Sequence, residues 1–107
     1  MKLYKSKKKW IVGNLKNIEI QEKCKIKLKS NEQITFTNLK KNENEICKKG
    51  WGYYLTPSIN RRLKNYNHQV FVITSKKKDK YIVIVKNSKM KSFKKYCENE
   101  NFKYIKI

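Results

Sequence analysis

The sequence predicts an α+β fold, a single domain in which an amino-terminal antiparallel β-meander packs on a β-α-β-β-α-β unit of the ferredoxin-like type. The first observation is the length of 107 residues, which suits one domain. The second is a period-two alternation of apolar and polar residues in the first third of the chain. The third is the succession of strand-like and helix-like segments that follows. We therefore expect residues 1–45 to form the meander and a loop, and residues 46–107 to form the βαββαβ unit.

The meander is predicted from side-chain alternation. Between residues 18 and 29, mostly apolar side chains occupy one parity and mostly lysines the other. This pattern is typical of two half-buried strands, with a turn near residues 21–23. Strands at Lys9–Val12 and Gln33–Thr37 complete the meander, and the polar residues 38–45 are expected to form a loop.

An aromatic strand over residues 50–55 is predicted to lead into a helix. Thr56 suits the cap of that helix and Pro57 its first position. Three apolar residues then follow at the spacing of one helix face: Ile59, Leu63 and Tyr66.

The rest of the chain is predicted to form two strands, a helix and a last strand. Strands over residues 69–74 and 81–86 are joined by a charged turn. A helix over residues 88–98 and a strand over 102–107 follow. The side chains that this helix is expected to bury are Met90, Phe93 and Cys97.

The apolar runs at residues 70–73 and 82–85 do not alternate with polar residues. Such runs are typical of strands that are covered on both faces. The two helices are expected to cover one face, and the amino-terminal meander the other.

The charge of the chain indicates a polyanionic partner, with nucleic acid as the first expectation. Lys and Arg number 28 against eight acidic residues, a formal net charge of +20. Lys, Asn and Ile fill 50 of the 107 positions and Ala is absent, so part of the lysine excess follows AT-rich codon usage. AT-rich coding supplies acidic residues as readily as lysine, so codon usage does not explain the whole imbalance.

The sequence predicts a cytoplasmic protein without a membrane span, cofactor or metal site. No apolar run approaches the roughly 18 residues that a spanning helix needs, and the first residues have no signal-peptide core. His68 is the single histidine, and no two cysteines form a Cys-x-x-Cys pair. Three widely separated cysteines are interpreted as small semi-buried side chains: Cys24, Cys47 and Cys97.

Two strings resemble signatures of the RNA recognition motif family. WIVGNL at residues 10–15 resembles the first signature, and KGWGYYLT at residues 49–56 the second. The resemblance implies that Trp51 and Tyr53 stack bases, with Ile11 standing where an aromatic residue is usual. It covers only 14 residues, and the strand-like residues 18–28 lie where that family needs a helix, so we do not assign the chain to it.

The candidate binding site is the segment 50–62, which concentrates residue types that are rare in this chain. It holds two of three glycines, the single proline and both arginines. A strand leading into a helix start presents backbone N–H groups to an anion, and arginine recognises phosphate with two parallel hydrogen bonds. The predicted anion-binding residues are Thr56, Ser58, Arg61, Arg62, Asn65, Lys48 and Lys49, and the predicted stacking residues are Trp51, Tyr53 and Tyr54.

A purely structural interpretation of the same segment stays open. Thr56 and Pro57 would then form an ordinary helix start, and the arginines a solvated helix face. The aromatic residues would be partly in the core, with Tyr53 and Tyr54 on opposite faces of their strand.

Signals of catalysis are weak. No close pair of carboxylates lies in an apolar setting except Glu43 and Glu45, in a predicted loop, and a general acid–base pair needs two contrasting environments. No nucleophile signature surrounds Ser58 or Cys47, for which His68 would be the base.

The sequence therefore favours a small basic, non-catalytic binding module for a phosphate-bearing polyanion, RNA or single-stranded nucleic acid. The alternative is an accessory or small enzyme-like protein that recognises a phosphorylated or acidic small molecule, such as a sugar nucleotide. A third option is a protein-interaction domain that uses Tyr81 or Tyr104 on edge strands.

Overall fold

The computed structural model describes residues 1–39 and 42–107. The chain divides into two compact units, Met1–Pro57 and Ser58–Ile107, and each is described by itself. Every strand pair in the described part of the chain is antiparallel, and the second unit also holds two helices. The α+β class is therefore confirmed. The packing of the meander on the second part as one domain stays a prediction.

The first unit begins with a long hairpin that is interrupted once. Its four strands are β1 (Lys2–Lys5), β2 (Lys9–Val12), β3 (Ile18–Gln21) and β4 (Cys24–Lys27). β1 pairs with β4, and β2 pairs with β3. At the interruption the Ser6 N–H donates to the Lys23 carbonyl (3.0 Å) and the Glu22 N–H donates to the Lys8 carbonyl (2.9 Å). Residues 6–8 thus oppose residues 22 and 23, which is a β-bulge with one extra residue on the first strand.

The predicted strands β2, β3 and β4 are confirmed, but their predicted order as a meander is wrong. β3 and β4 do not pair with each other, because the predicted turn at residues 21–23 is the site of the bulge. β4 pairs instead with β1, a strand that the sequence analysis does not predict. The alternation that predicts β3 and β4 does not reveal their partners.

The first unit ends in a three-stranded meander in the order β5–β6–β7. The strands are β5 (Gln33–Thr37), β6 (Glu43–Lys49) and β7 (Gly52–Thr56). The predicted strand at β5 is confirmed, whereas the predicted loop over residues 38–45 is too long because β6 already begins at Glu43. Residues 40 and 41 of that loop lie outside the described residues. Gly52 has φ of +149°, a conformation open to glycine, where the chain leaves the β6–β7 turn.

The predicted helix start at Thr56 is wrong. Thr56 is the last residue of β7, where it pairs with Glu45, and its hydroxyl donates to the Glu45 carboxylate (3.0 Å). These cross-strand contacts keep Thr56 in the sheet. The bond from Thr56 to Pro57 is cis, and the first helix, α1, spans only Arg62–Asn65.

The second unit contains a three-stranded sheet and an eleven-residue helix, and the sequence predicts each of these three strands and the helix. The elements are β8 (His68–Thr74), β9 (Lys80–Lys86), α2 (Met90–Glu100) and β10 (Lys103–Lys106). The predicted turn between β8 and β9 closes with a hydrogen bond from the Ser75 N–H to the Asp79 carbonyl (2.9 Å). A 3₁₀ turn at Asn87–Lys89 leads into α2.

The ferredoxin-like arrangement is not confirmed. In the second unit the strand order is β9–β8–β10, so the last strand pairs with β8. That arrangement needs the last strand to pair with the first strand of the βαββαβ unit. Here that first strand, β7, pairs with β6.

The buried apolar core of the described residues lies in the second unit. Its members are Leu63, Val70, Phe71, Ile73, Val85 and Cys97. α2 packs on the sheet face that carries Phe71, whose ring centroid lies 5.2 Å from that of Phe93 and 5.7 Å from that of Tyr104. The predicted inward positions on α2 are confirmed, since Cys97 is buried and Met90 and Phe93 are half-buried.

The second unit itself does not supply the predicted cover on both faces of β9. Ile82 is 70% exposed and Ile84 is 47% exposed. Both side chains lie on the face opposite Phe71, because Val83 is the β9 residue paired with Phe71. His68, on the same face as Ile84, packs edge-on against Tyr66.

In the part of the chain that the structure describes, no helix is long and apolar enough to cross a membrane.

Candidate functional site

The end of the β6–β7 hairpin exposes three aromatic side chains within four residues. We call residues 48–54 the aromatic hairpin; Gly50 and Trp51 form its turn. The exposed fraction is 74% for Trp51, 61% for Tyr53 and 53% for Tyr54. The expectation that these side chains are partly core is therefore wrong. Concentrated exposed aromatic area of this kind is typical of an interaction surface.

Tyr53 and Tyr54 point to opposite faces of the sheet, as alternation predicts. Tyr53 pairs with Lys48, and Tyr54 pairs with Cys47. The hairpin therefore offers an aromatic ring on each face, with Trp51 at its tip.

Lys48 lies against the ring of Tyr53. Its Nζ is 5.2 Å from the ring centroid, which is the geometry of a cation–π contact. The same Nζ donates to the Lys49 carbonyl (2.8 Å). These two contacts hold the ammonium group beside the π-face without neutralising its charge.

The face of Tyr53 continues as an exposed apolar strip across the sheet. Leu55 is 64% exposed and Phe36 is 55% exposed. Ile46, which pairs with both Leu55 and Ile34, joins them on the same face. Phe36 is a candidate that sequence reasoning missed. The shared parity of Phe36 and Ile34 in β5 is the signal that could have identified it.

Lys49 anchors the hairpin to the loop before β5. Its Nζ donates to the Asn31 side-chain oxygen (3.1 Å), and the Asn31 N–H donates to the Lys48 carbonyl (2.7 Å). Because its partner is an amide, Lys49 keeps its positive charge near the hairpin. The predicted residues Lys48, Lys49, Trp51, Tyr53 and Tyr54 are thus brought together in one element.

The carboxylate nearest in sequence to Asn31 is engaged elsewhere. Glu32 accepts hydrogen bonds from the Lys29 N–H (2.7 Å) and from the amino group of Met1 (3.2 Å). These contacts, the Lys29 bond first, hold the pKa of Glu32 below its ordinary value. Glu32 is therefore committed to the loop and to the amino terminus.

The other predicted anion-binding residues do not meet at a helix start with open amides. The Arg62 N–H donates to the Ser58 hydroxyl (3.3 Å), and the Leu63 N–H donates to the Ser58 carbonyl (3.0 Å). Arg61, Arg62 and Asn65 are exposed. The site was expected to present free N–H groups at a capped helix start, but these two N–H groups already donate to Ser58. An anion-binding role for the side chains stays a prediction.

The second unit contains a cavity of about 370 Å³ within the size range of small-ligand pockets. Two lysines supply the charge of its lining, Lys64 and Lys106. Gln69 and Asn87 also line it, and the Gln69 amide donates to the Asn87 side-chain oxygen (2.7 Å). The remaining lining residues are Ile59, Asn60, Val70 and Ile107.

The residues considered for catalysis or metal binding are placed as follows. Ser58 is the acceptor for Arg62 described above, and His68 is buried beside Tyr66 with ring centroids 6.4 Å apart. Cys97 is buried, which raises the pKa of its thiol, while Cys24 and Cys47 are half-buried. Within residues 1–39 and 42–107, no group of three or more His, Cys, Asp or Glu side chains has the arrangement of a metal site.

No protein-family model matches the sequence, and comparisons with curated proteins and with solved structures gave no match. The likeness to the RNA recognition motif thus remains confined to two short strings. In addition, β3 and β4 occupy the region in which that family has a helix.

Proposed function

We propose that the protein is a non-catalytic binding module for RNA or single-stranded nucleic acid, and that the aromatic hairpin is its contact surface. The observation that carries the proposal is the exposure of Trp51, Tyr53 and Tyr54 beside Lys48 and Lys49. Stacking on an aromatic side chain contributes about 1–3 kcal/mol per base and accepts any base. Lysines beside the rings supply phosphate attraction.

The geometry of Lys48 supports a combined contact. A base that stacks on Tyr53 would place its phosphate near an ammonium group already held beside that ring. Trp51, at the hairpin tip, would take a neighbouring base. The net charge of +20 would add attraction without sequence preference.

Arg61 and Arg62 have a secondary role in this proposal. Their guanidinium groups would bind phosphate with paired hydrogen bonds, and Ser58 and Asn65 would contribute polar contacts. This role does not rely on free helix amides. It is tested separately, by measuring the RNA affinity of Arg61→Gln with Arg62→Gln.

Fluorescence anisotropy with a labelled single-stranded RNA tests the stacking surface. Trp51→Ala with Tyr53→Ala is expected to weaken binding by about 2–6 kcal/mol, which is roughly 30-fold or more, since two stacking contacts are removed. Tyr4→Ala is the matched control, because Tyr4 is a 50% exposed tyrosine on β1. Equal losses for the control and the double variant would contradict the assignment.

The dependence of binding on salt tests the lysines. Lys48→Gln with Lys49→Gln is expected to reduce the slope of log K against log salt by about 1.4, at about 0.7 per lost contact. Lys76→Gln with Lys77→Gln removes the same charge from the β8–β9 turn and is expected to change the slope less. Identical slopes for both pairs would mean that attraction is spread over the whole surface.

The second candidate function is recognition of a phosphorylated or acidic small molecule, and the cavity of the second unit favours it. Lys64 and Lys106 would bind the anionic group, and the amides of Asn60 and Gln69 the polar part of the ligand. A thermal-shift screen with nucleotides and sugar phosphates tests it, with Lys64→Gln as the variant. A saturable shift that Lys64→Gln abolishes would support this function, and no shift with any compound would reject it.

A further inference from the structure

One face of the second unit's sheet carries four aliphatic side chains, the half-buried Val72 and the exposed Ile82, Ile84 and Ile105, which we call the aliphatic face. Val72 on the central strand pairs with Ile82 on β9 and with Ile105 on β10, so the three side chains share one face. Ile105 is 73% exposed, Ile82 is 70% exposed and Ile84 is 47% exposed. Contiguous exposed apolar area is typical of an interaction site.

The sequence of these strands is typical of a sheet whose second face is also covered. The strands β8 and β9 are apolar at successive positions, a pattern typical of sheets that are covered on both sides. α2 covers the opposite face through Phe93 on Phe71. Alternation with polar residues, which would suit a solvent-facing side, is missing at Ile82 and Ile84.

Lysines surround the aliphatic face. Lys80 and Lys103 both pair with Thr74 at one end, and Lys86 pairs with His68 at the other. All three lysines are exposed. The three strands contain no acidic residue. The surface therefore has an apolar centre and a basic rim. Protein interfaces commonly have an apolar core and a polar rim, and a rim of one charge sign favours a partner of the opposite sign.

The charge argues against a second copy of this chain as the occupant. Residues 58–107 contain 14 basic and three acidic side chains. Two such faces would bring lysine against lysine, which is unfavourable for association. The occupant must instead be acidic.

The side chains argue against nucleic acid and against a lipid surface. Bases stack on aromatic rings, whereas this face carries isoleucine and valine. Aromatic side chains at a membrane surface lie toward the headgroups, but Tyr81 and Tyr104 lie on the other face, since both pair with Ile73.

We propose that the aliphatic face docks an acidic, amphipathic protein segment whose apolar side chains cover Ile82, Ile84 and Ile105 and whose carboxylates meet Lys80, Lys86 and Lys103. This surface is distinct from the aromatic hairpin, and the proposal does not depend on nucleic-acid binding.

Methyl-detected NMR of the full chain tests the proposal. The probe is a synthetic helical peptide with leucines on one face and glutamates on the other. Its control has the same charge with serine in place of leucine. The leucine peptide is expected to shift the methyl signals of Ile82, Ile84 and Ile105 saturably, and the serine peptide is expected to leave them in place. Equal shifts with both peptides would reduce the contact to charge attraction and overturn the proposal.

Variants and vesicles complete the test. Ile82→Ser with Ile105→Ser is expected to weaken peptide binding about tenfold or more and to leave RNA affinity unchanged. Ile11→Ser, which alters a 63% exposed isoleucine on β2, is the control. Two outcomes would overturn the proposal: a large loss of thermal stability in the double serine variant, which would mean that this face is already buried, or methyl shifts with phosphatidylserine vesicles and none with the leucine peptide.

Discussion

The ammonium group of Lys48 lies 5.2 Å from the centre of the Tyr53 ring, and the two residues are direct partners across β6 and β7. The register of β6 and β7 places the cation of Lys48 and the ring of Tyr53 side by side on one face of the hairpin. The hydrogen bond from Lys48 to the Lys49 carbonyl then limits where the ammonium group can go.

Tyr53→Ala is expected to weaken binding of single-stranded RNA by about 1–3 kcal/mol, because a stacking ring is lost. Tyr53→Phe keeps the ring and is expected to bind within about twofold of the unchanged protein. Anisotropy titrations measure both. If Tyr53→Phe loses as much as Tyr53→Ala, the hydroxyl rather than the ring makes the contact.

Leu63→Ala is expected to lower the free energy of unfolding by about 2–5 kcal/mol, because a buried side chain is replaced by a cavity. Leu63 is 1% exposed. Leu55→Ala, at a 64% exposed position, is the matched control and is expected to change stability by less than about 0.5 kcal/mol. Urea unfolding followed by circular dichroism measures both, and similar values for the two variants would contradict the burial of Leu63.

Thr56→Val is expected to destabilise the protein by about 1–3 kcal/mol, because the Glu45 carboxylate loses a hydroxyl donor at 3.0 Å in a largely buried setting. RNA affinity is expected to stay within about twofold when it is measured where the variant is folded. A selective loss of affinity with unchanged stability would assign Thr56 to anion binding instead.

Stability is expected to fall in acid partly through Glu32. Its folded-state pKa is lowered, so its contribution is present above the ordinary glutamate pKa and is lost as pH falls through the folded value. Glu32→Gln should therefore flatten the decline in the urea midpoint between about pH 5 and about pH 3. Glu19→Gln, on β3, controls for the loss of one negative charge. An unchanged decline in Glu32→Gln would mean that its contacts with Lys29 and Met1 do not form.

The three thiols are expected to differ in reactivity. Cys97 is 1% exposed and burial raises the pKa of its thiol, so both access and thiolate fraction are low. A disulfide reagent should modify Cys24 and Cys47 in the folded protein and Cys97 only after unfolding in urea. Cys97→Ser is the control for the count, and rapid reaction of all three thiols without denaturant would contradict the structure.

Local patterns predicted the second unit well from β8 onward. The apolar runs of β8 and β9, the turn between them and the amphipathic α2 depend on neighbours in sequence, and each was found close to its predicted bounds. Position in a sheet was not predictable in the same way. Alternation marks β3 and β4 as strands, but the extra residue that separates them lies on the opposite strand.

The candidate site shows the same division. The sequence analysis placed Lys48, Trp51 and Tyr53 in one site because they lie close together in one segment of the chain. The helix start at Thr56 failed because its hydroxyl is taken by Glu45, a residue on another strand that no local rule includes. Exposure of the aromatic rings likewise depends on what covers each face, which the alternation of a single strand does not determine.

The bulge in the amino-terminal hairpin compensates for a change in the parity of the apolar positions within the first twelve residues. Leu3 is at an odd position and Trp10 at an even one, yet Leu3 pairs with Ile26 and Trp10 pairs with Ile20, both even. An uninterrupted ladder would send the indole and Leu3 to opposite sides. The one extra residue therefore gives this hairpin an apolar face and a lysine-rich face, although its first strand alternates in different parity before and after the bulge.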